Sequence, residues 1–193
     1  MNEKELIEWV RSKPEAFGEL YDMYYPKIFG YLYRITGDYA LTADITSETF
    51  LKAYINIGSF KWKGISISSW FFRIATNELN QYFRRKRYTP RTMTDLNIFD
   101  EAAWADRHAP CDDAGDINLH IDKTEEFQGI RRLIQTLPAM YQQVIALRYF
   151  EELSIREIAE ILHKKEGTVK SLLSRGLEKL KKMMDEAATK NGH

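Results

Sequence analysis

Apolar residues recur three and four positions apart across residues 6–87 and again across 125–184, and the stretch between them shows no sustained period. That spacing puts side chains on one face of an α-helix rather than one face of a strand. It predicts an all-α chain of two small helical domains joined by a linker. A chain of 193 residues can hold one ordinary domain or two small ones. An apolar content of 44% is ordinary for a globular protein and supplies at least one real core.

Leu6, Ile7 and Val10 open the pattern, with Trp9 widening the face; Ser12 and Pro14 end that helix and start another. From Ala16 to Ile35 the apolar positions include Phe17, Leu20, Tyr24, Ile28, Tyr31 and Leu32, and Pro26 is expected to kink or split the run. Gly37 reads as a stop and Asp38 as the cap of a helix from Tyr39 to about Ile57, with Leu41, Ile45, Phe50, Ala53 and Ile57 inward. Gly58–Ile67 is a loop, and Ser68 opens a helix to about Arg87 that Pro90 stops. Further on, Asp122 with Glu125 fits a cap, followed by Ile130, Leu133, Ile134 and Leu137, and Pro138 suits the first turn of the next helix. The boundaries are 1–90 for an N-terminal domain, 91–121 for an acidic linker and 122–193 for a C-terminal domain.

A net charge of zero would by itself argue against nucleic acid, but the charges are segregated. Residues 1–91 carry 14 Lys/Arg against 10 Asp/Glu, residues 92–126 carry 2 against 10, and residues 127–193 carry 12 against 8. An acidic middle cancels two mildly basic ends. Such a middle is either a solubilising tether or a charged mimic of a nucleic-acid backbone; a tether needs only length, whereas a mimic needs its charge. One cysteine, Cys111, allows no internal disulfide. Met1–Leu6 lacks a signal-peptide apolar stretch, and no run of about 18 apolar residues is present, so a cytoplasmic protein is expected. His108 and Cys111 are too few for a zinc site, no Gly-rich phosphate loop occurs, and no catalytic set is visible. Neither a metal, a cofactor nor an enzymatic activity is expected.

The segment 154–184 carries the sharpest signal. Ser154-Ile155-Arg156-Glu157 is a capping box, followed by a short helix to Leu162, a polar turn His163–Glu166 and a longer helix from about Gly167 to Met184. That is the layout of a helix-turn-helix. Val169, Leu172 or Leu173, Gly176 and Leu180 form the inward stripe. Thr168, Lys170, Ser171, Ser174 and Arg175 belong to the polar side, where small residues allow close approach and basic ones reach phosphates and base edges. A plain helical hairpin with a solvated basic face would share the periodicity.

The wording of both halves resembles one family. Leu147-Arg148-Tyr149-Phe150, Leu153-Ser154, Glu157-Ile158-Ala159-Glu160, Glu166-Gly167-Thr168-Val169-Lys170-Ser171 and Ser174-Arg175 resemble the C-terminal domain of extracytoplasmic-function (ECF) sigma factors. Phe17-Gly18-Glu19-Leu20-Tyr21, Ala43-Asp44-Ile45, Glu48-Thr49-Phe50 and Ser69-Trp70-Phe71-Phe72-Arg73-Ile74-Ala75-Thr76-Asn77 resemble their core domain. The resemblance covers about residues 6–87 and 125–184. It implies an alternative sigma factor whose N-terminal domain binds core RNA polymerase and reads the minus-ten promoter element. Its helix-turn-helix would read the minus-thirty-five element, its linker would thread into polymerase, and an anti-sigma factor would restrain it.

Candidate residues follow. Helix 68–87 joins Trp70, Phe71 and Phe72 to the basic end Arg84-Arg85-Lys86-Arg87; aromatic planes can stack on unpaired bases while cations hold the backbone, against the alternative that Trp70 and Phe71 are core residues, which Phe71 fits better. Asn77 has an amide suited to a base edge. Lys61, Trp62 and Lys63 are the loop's contacts with a flipped base, against the alternative of a solvated loop. Asp44 and Glu48, at i and i+4, are the implied polymerase contacts, although alone they would read as solvated carboxylates. Ser47, Gln81, Leu172 and His163 depart from the residues usual in the family. Two rivals differ in class: a helix-turn-helix regulator with a separate sensor domain, which has no need of the 70–77 helix, and a nucleic-acid enzyme, which would require convergent carboxylates or a metal cluster.

Overall fold

The computed structural model describes residues 3–60, 66–88 and 125–191. Their regular elements are helical throughout: α1 (Glu3–Ser12), α2 (Phe17–Thr36), α3 (Tyr39–Asn56), α4 (Ile67–Tyr88), α5 (Glu125–Thr136), α6 (Ala139–Ile145), α7 (Ile155–Leu162) and α8 (Glu166–Asn191). Short 3-10 turns at Pro14–Ala16 and Ile57–Ser59 and a π-helical turn at Ala146–Phe150 join some of them. The acidic linker, His108, Cys111, Asp122 and Lys61-Trp62-Lys63 lie outside the described residues.

In the N-terminal half α3 and α4 pack against α2 and against each other, and Leu6, Ile7 and Val10 of α1 close one end of the core. The fully buried side chains are large: Phe29, Tyr31, Phe71 and Phe72 among them, with Leu20, Ile28, Leu32 and Leu79. Tyr31 carries a polar tip into this core and settles it on Thr76, hydroxyl to hydroxyl at 2.9 Å. Burial pushes the Tyr31 phenol well above its usual range, so it stays a neutral hydrogen-bonding group.

Gly37 adopts the left-handed conformation (φ 65°) that ends α2, and the Asp38 carboxylate accepts from the Leu41 N–H at 3.0 Å to start α3, both as the sequence predicts. Pro26 does not split α2, which is one helix of 20 residues. A proline inside a helix removes one hydrogen bond at a cost of about 3 kcal/mol, and the apolar face from Leu20 to Ile35 is buried on both sides of it. On α3 the inward face holds three threonines as well as the expected apolar residues. Thr42, Thr46 and Thr49 are buried, each donating its hydroxyl to the carbonyl four residues back at 2.6–2.7 Å. Local satisfaction removes the penalty of burying a hydroxyl and lets a small side chain line the helix–helix contact.

In the C-terminal half α8 packs across α6 and α7. A Cβ at Gly176 would meet Ile145 Cδ1 at 3.2 Å and Tyr141 Cδ1 at 3.3 Å, so glycine sets the closeness of α8 to α6. The helix α6 runs straight into the π turn, which places Phe150 and Glu151 on α2. There Arg34 Nη1 donates to Glu151 Oε1 at 2.8 Å, its guanidinium lies 4.7 Å from the centre of the Phe150 ring, and its carbonyl accepts from Gln135 Nε2 at 3.3 Å. Along the same seam Gln143 Nε2 donates to Asn80 Oδ1 at 2.7 Å, and Arg73 Nε donates to His163 Nε2 at 2.8 Å. The two halves therefore pack on each other, α4 lying against α7.

Burial pushes the Glu151 carboxyl above the usual carboxylate range, outweighing the opposing pull of Arg34 and Lys27. Because the folded value exceeds the unfolded one, this group's contribution to stability is fully present in acid and is lost as the pH rises through the raised value. At neutral pH Arg34 compensates the buried charge. Glu151→Ala removes a charge-assisted bond worth about 1.5–3 kcal/mol. The expected result is a larger radius of gyration in small-angle scattering with unchanged far-UV helicity; an unchanged radius would show that the seam does not depend on this pair.

Candidate nucleic-acid interface

The helix-turn-helix is built as its sequence spells it. Ser154 Oγ accepts from the Glu157 N–H at 3.2 Å, and Glu157 Oε2 accepts from the Ser154 N–H at 2.9 Å, a complete capping box opening α7. His163 ends α7 in the left-handed conformation (φ 51°), and the Lys164 N–H reaches back to the Ala159 carbonyl at 2.9 Å. A histidine tolerates that backbone less well than the glycine usual in the family, and its ring is used in return as the acceptor for Arg73. On α8, which begins at Glu166 and runs past Met184 to Asn191, Val169, Leu173, Gly176 and Leu180 face inward and Leu172 is only half-buried. Thr168, Lys170, Ser171, Ser174 and Arg175 are all exposed. The Ser171 hydroxyl is turned onto the Gly167 carbonyl at 3.0 Å.

On α4 the first turn begins one residue earlier than the sequence predicts, because Ser66, not Ser68, is the cap: its Oγ accepts from the Ser69 N–H at 3.1 Å. Trp70, Asn77 and Arg84 stand seven residues apart, hence on one face. Asn77 and Arg84 are exposed, while Trp70 is half-buried against Phe60 (ring centres 5.1 Å apart) and Phe71 (5.6 Å). Phe71 and Phe72 are buried in the core and are withdrawn as base-stacking groups, since their rings pack on Tyr24, Phe50 and Tyr31. Arg73 and Asn80 flank the Trp70–Arg84 face on the side of the seam, where the C-terminal half occupies them. Arg85 is exposed on the other flank. With the Gln81 amide turned to satisfy both neighbours, it accepts from Arg85 Nη2 at 2.8 Å and donates to Glu78 Oε2 at 3.2 Å.

That chain of polar groups continues to α3. Lys52 Nζ lies 2.5 Å from Glu78 Oε2 and 3.3 Å from Glu48 Oε1, and the hydrogen bond it donates to Glu78 foremost holds the ammonium above its usual value. The structure thus links Glu48 to Arg85 through Lys52, Glu78 and Gln81; neither Lys52 nor Glu78 stands out in the sequence, because the link crosses two helices. Asp44 and Glu48 are exposed on α3, and the same face carries Leu51, 53% exposed, and Ile55, 68% exposed. Tyr54 and Tyr21 lie exposed beside them. The positions 44, 48, 51 and 55 share one helical stripe, and the buried threonines on the opposite face were the missing signal that these apolar residues point outward.

A capped helix-turn-helix with an exposed basic helix, beside a second helix bearing an aromatic, an amide and cations on one face, defines a helical DNA-binding protein of transcription. The Sigma-70 region 2 family matches residues 20–89 and the Sigma-70, region 4 family matches residues 127–180. The ECF RNA polymerase sigma factor SigW of Bacillus subtilis (strain 168) is 34% identical over 190 residues, 95% of this chain and 97% of SigW. Among solved structures, CnrH in complex with the cytosolic domain of CnrY shares the fold at a TM-score of 0.65 and 19% identity, over 95% of this chain and 97% of that one. The sigma factor RpoE in complex with the anti-sigma factor NepR from Bartonella quintana does so at 0.62 and 19%, over 88% and 96%. The chain belongs to the ECF RNA polymerase sigma factors, and it is an alternative sigma factor directing promoter-specific transcription initiation. Among the described residues no helix is long and apolar enough to cross a membrane.

Burial, and then the Arg73 charge, hold the His163 imidazole below its ordinary value. For a base with a lowered folded value, the stabilising contribution is present above the unfolded value and is lost as the pH falls through the folded one. Arg73, Arg156 and Lys164 line the cleft around the ring with Glu160 and Glu166, so a protonated His163 faces three cations and two carboxylates. Acidification through the imidazole range is expected to raise the radius of gyration of the wild type more than that of His163→Asn, which tolerates the left-handed backbone and does not titrate. Identical profiles would remove His163 from the seam's pH response.

Proposed function

We propose that residues 1–90 bind core RNA polymerase and read and open the minus-ten element, that residues 122–193 read the minus-thirty-five element as duplex, and that residues 91–121 connect them. The observation that carries this reading is the pairing of two exposed faces of matching chemistry. On α8, Thr168, Lys170, Ser171, Ser174 and Arg175 offer small polar and cationic groups to a major groove. On α4, Trp70, Asn77, Arg84 and Arg85 offer a ring edge, an amide and cations to single-stranded bases and backbone. Lys61, Trp62 and Lys63 are proposed as further contacts, with a base flipped from the opening duplex. The α3 stripe of Asp44, Glu48, Leu51 and Ile55 docks on polymerase, its acidic end followed by an apolar end, suiting a partner surface that is basic at one end and apolar at the other. The chemistry of RNA synthesis belongs to the polymerase, and the protein acts in the cytoplasm.

The packed arrangement cannot serve both elements at once. Two elements centred about 25 base pairs apart lie roughly 85 Å apart along the duplex, whereas α4 and α7 are in contact. Residues 89–124 could span about 120 Å if extended, so the halves can separate without breaking the chain. The CnrH and RpoE structures contain CnrY and the anti-sigma factor NepR respectively; an anti-sigma factor restraining this chain would act on the same transition.

Transcription in vitro with core polymerase tests the assignments. Lys170→Ala and Arg175→Ala are each expected to weaken upstream-element binding by roughly 1–3 kcal/mol where a base edge is contacted, or to reduce salt dependence where a phosphate is. Equal transcription by wild type and the double variant on an element-dependent promoter would refute the α8 assignment. Asn77→Ala is expected to bind core polymerase normally yet to show weakened permanganate reactivity of the minus-ten thymines; normal melting with unchanged preference would refute the α4 assignment.

A further inference from the structure

Glu78 and Gln81 belong to neither of the proposed contact faces of the N-terminal half, yet together they tie one to the other. Glu78 is a carboxylate on α4 whose side chain is only 13% exposed, so it depends mostly on donors supplied by the fold. Two of them reach the same oxygen. Lys52 Nζ, from α3, donates to Oε2, and the turned Gln81 amide donates to it at 3.2 Å. Lys52 is itself braced by Glu48, one turn back on α3. The other end of the Gln81 amide accepts from Arg85 Nη2 at 2.8 Å. Residues 78, 81 and 85 are spaced by three and four, hence along one stripe of α4. That stripe borders the cleft between α3 and α4.

We infer that Gln81 and Glu78 are positioning residues for promoter contact: they aim the Arg85 guanidinium at the DNA backbone, from a frame that Lys52 fixes to α3. The inference rests on the assignment of Arg85 to the minus-ten region. An exposed arginine has a long, flexible side chain, and ordering it on a phosphate costs conformational entropy. A guanidinium already held at one edge has lost part of that freedom before DNA arrives. Because the group is a planar fork, one held bond sets the direction of the whole. The bridge has the chemistry this requires. Glu78 and Arg85 are seven residues apart, about 10 Å along a helix, and the amide between them offers a donor to the first and an acceptor to the second. Gln81 is neutral, so it directs the guanidinium without cancelling the charge that a phosphate would meet. An i,i+4 pair on a helix surface is by itself a minor stabilising contact. Gln81 differs from such a pair through its second bond, to a shielded carboxylate locked onto another helix.

The test uses holoenzyme assembled from the full chain and core polymerase, with a fork-junction promoter DNA whose minus-ten element is single-stranded. Binding is measured across a salt series for wild type, Gln81→Ala, Glu78→Gln, Arg85→Ala, and each of the first two variants combined with Arg85→Ala. Arg85→Ala is expected to weaken binding about 5-fold and to lower the salt slope by about one. Gln81→Ala and Glu78→Gln are each expected to weaken binding about 3-fold, and to change nothing further once position 85 is alanine. A loss that came from a weakened fold would instead carry over undiminished to the Arg85→Ala background. If Arg85→Ala weakens binding but the other losses add to it in full, or either of those variants binds as wild type does, the relay serves the fold alone. The inference then fails while the Arg85 assignment stands. If Arg85→Ala changes neither affinity nor slope, that assignment fails and takes the inference with it.

Discussion

Arg34, near the C-terminal end of α2, ties the two halves of this chain together at one end of their seam. It makes three kinds of contact there: an ion pair with Glu151, a cation–π contact with Phe150 and, through its carbonyl, a hydrogen bond from Gln135. The pair is well shielded, with side-chain exposures of 16% and 8%. Desolvation therefore takes back much of the Coulombic gain, as the raised Glu151 carboxyl records. What such a pair contributes is specificity of docking: a guanidinium stacked on a ring and aimed at one carboxylate accepts few other geometries. The position of its partners comes from the π turn, which ends α6 and presents Phe150 and Glu151 together.

The seam then decides how α4 is used. One face of α4 is core, through Phe71, Phe72, Ala75 and Leu79; a second carries Trp70, Asn77 and Arg84; a third, with Arg73 and Asn80, is engaged by the C-terminal half. A helix has room for three faces only if each is narrow, and the heptad spacing of Trp70, Asn77 and Arg84 keeps the exposed one narrow. The consequence is crowding. On the proposed reading, DNA lying on that face would approach Arg73 and Asn80 from the side, and two side chains that could serve a phosphate are spent on His163 and Gln143 in the packed state.

Much of this was legible in the sequence, for identifiable reasons. The capping box at Ser154, the Gly37–Asp38 junction and the outward set on α8 are local: each depends on residues within one or two turns, and each appears where the spelling puts it. Misreadings occurred where tertiary packing overrides a local preference. Of the two outcomes expected at Pro26, a kink or a split, the split does not occur, because the burial around it outweighs one lost hydrogen bond. Phe72, read as a possible base-stacking ring, is core because Tyr31 crosses it edge-on. The apolar exposure of Leu51 and Ile55 was hidden because three buried threonines took the inward positions a hydrophobicity pattern reserves for aliphatic residues. The links Lys52–Glu78 and Arg34–Glu151 join residues 26 and 117 positions apart, and no periodicity reports on pairs at that separation.

On the proposed reading, the seam also shapes how two weak promoter contacts add. A domain that must leave its neighbour before it can bind DNA has its apparent affinity reduced by the fraction of time it spends free, so each ~1.4 kcal/mol of seam energy lowers that affinity tenfold. The reduction is felt once, not twice, because a single separation frees both halves. Whichever element or polymerase surface is engaged first bears the cost of opening, and the second binds at its intrinsic strength. Promoters carrying only one element therefore meet the full penalty, while those carrying both share it. The packed arrangement thus turns two independent readers into a coupled pair: discrimination against half-sites follows from the seam's energy, without any additional contact to DNA.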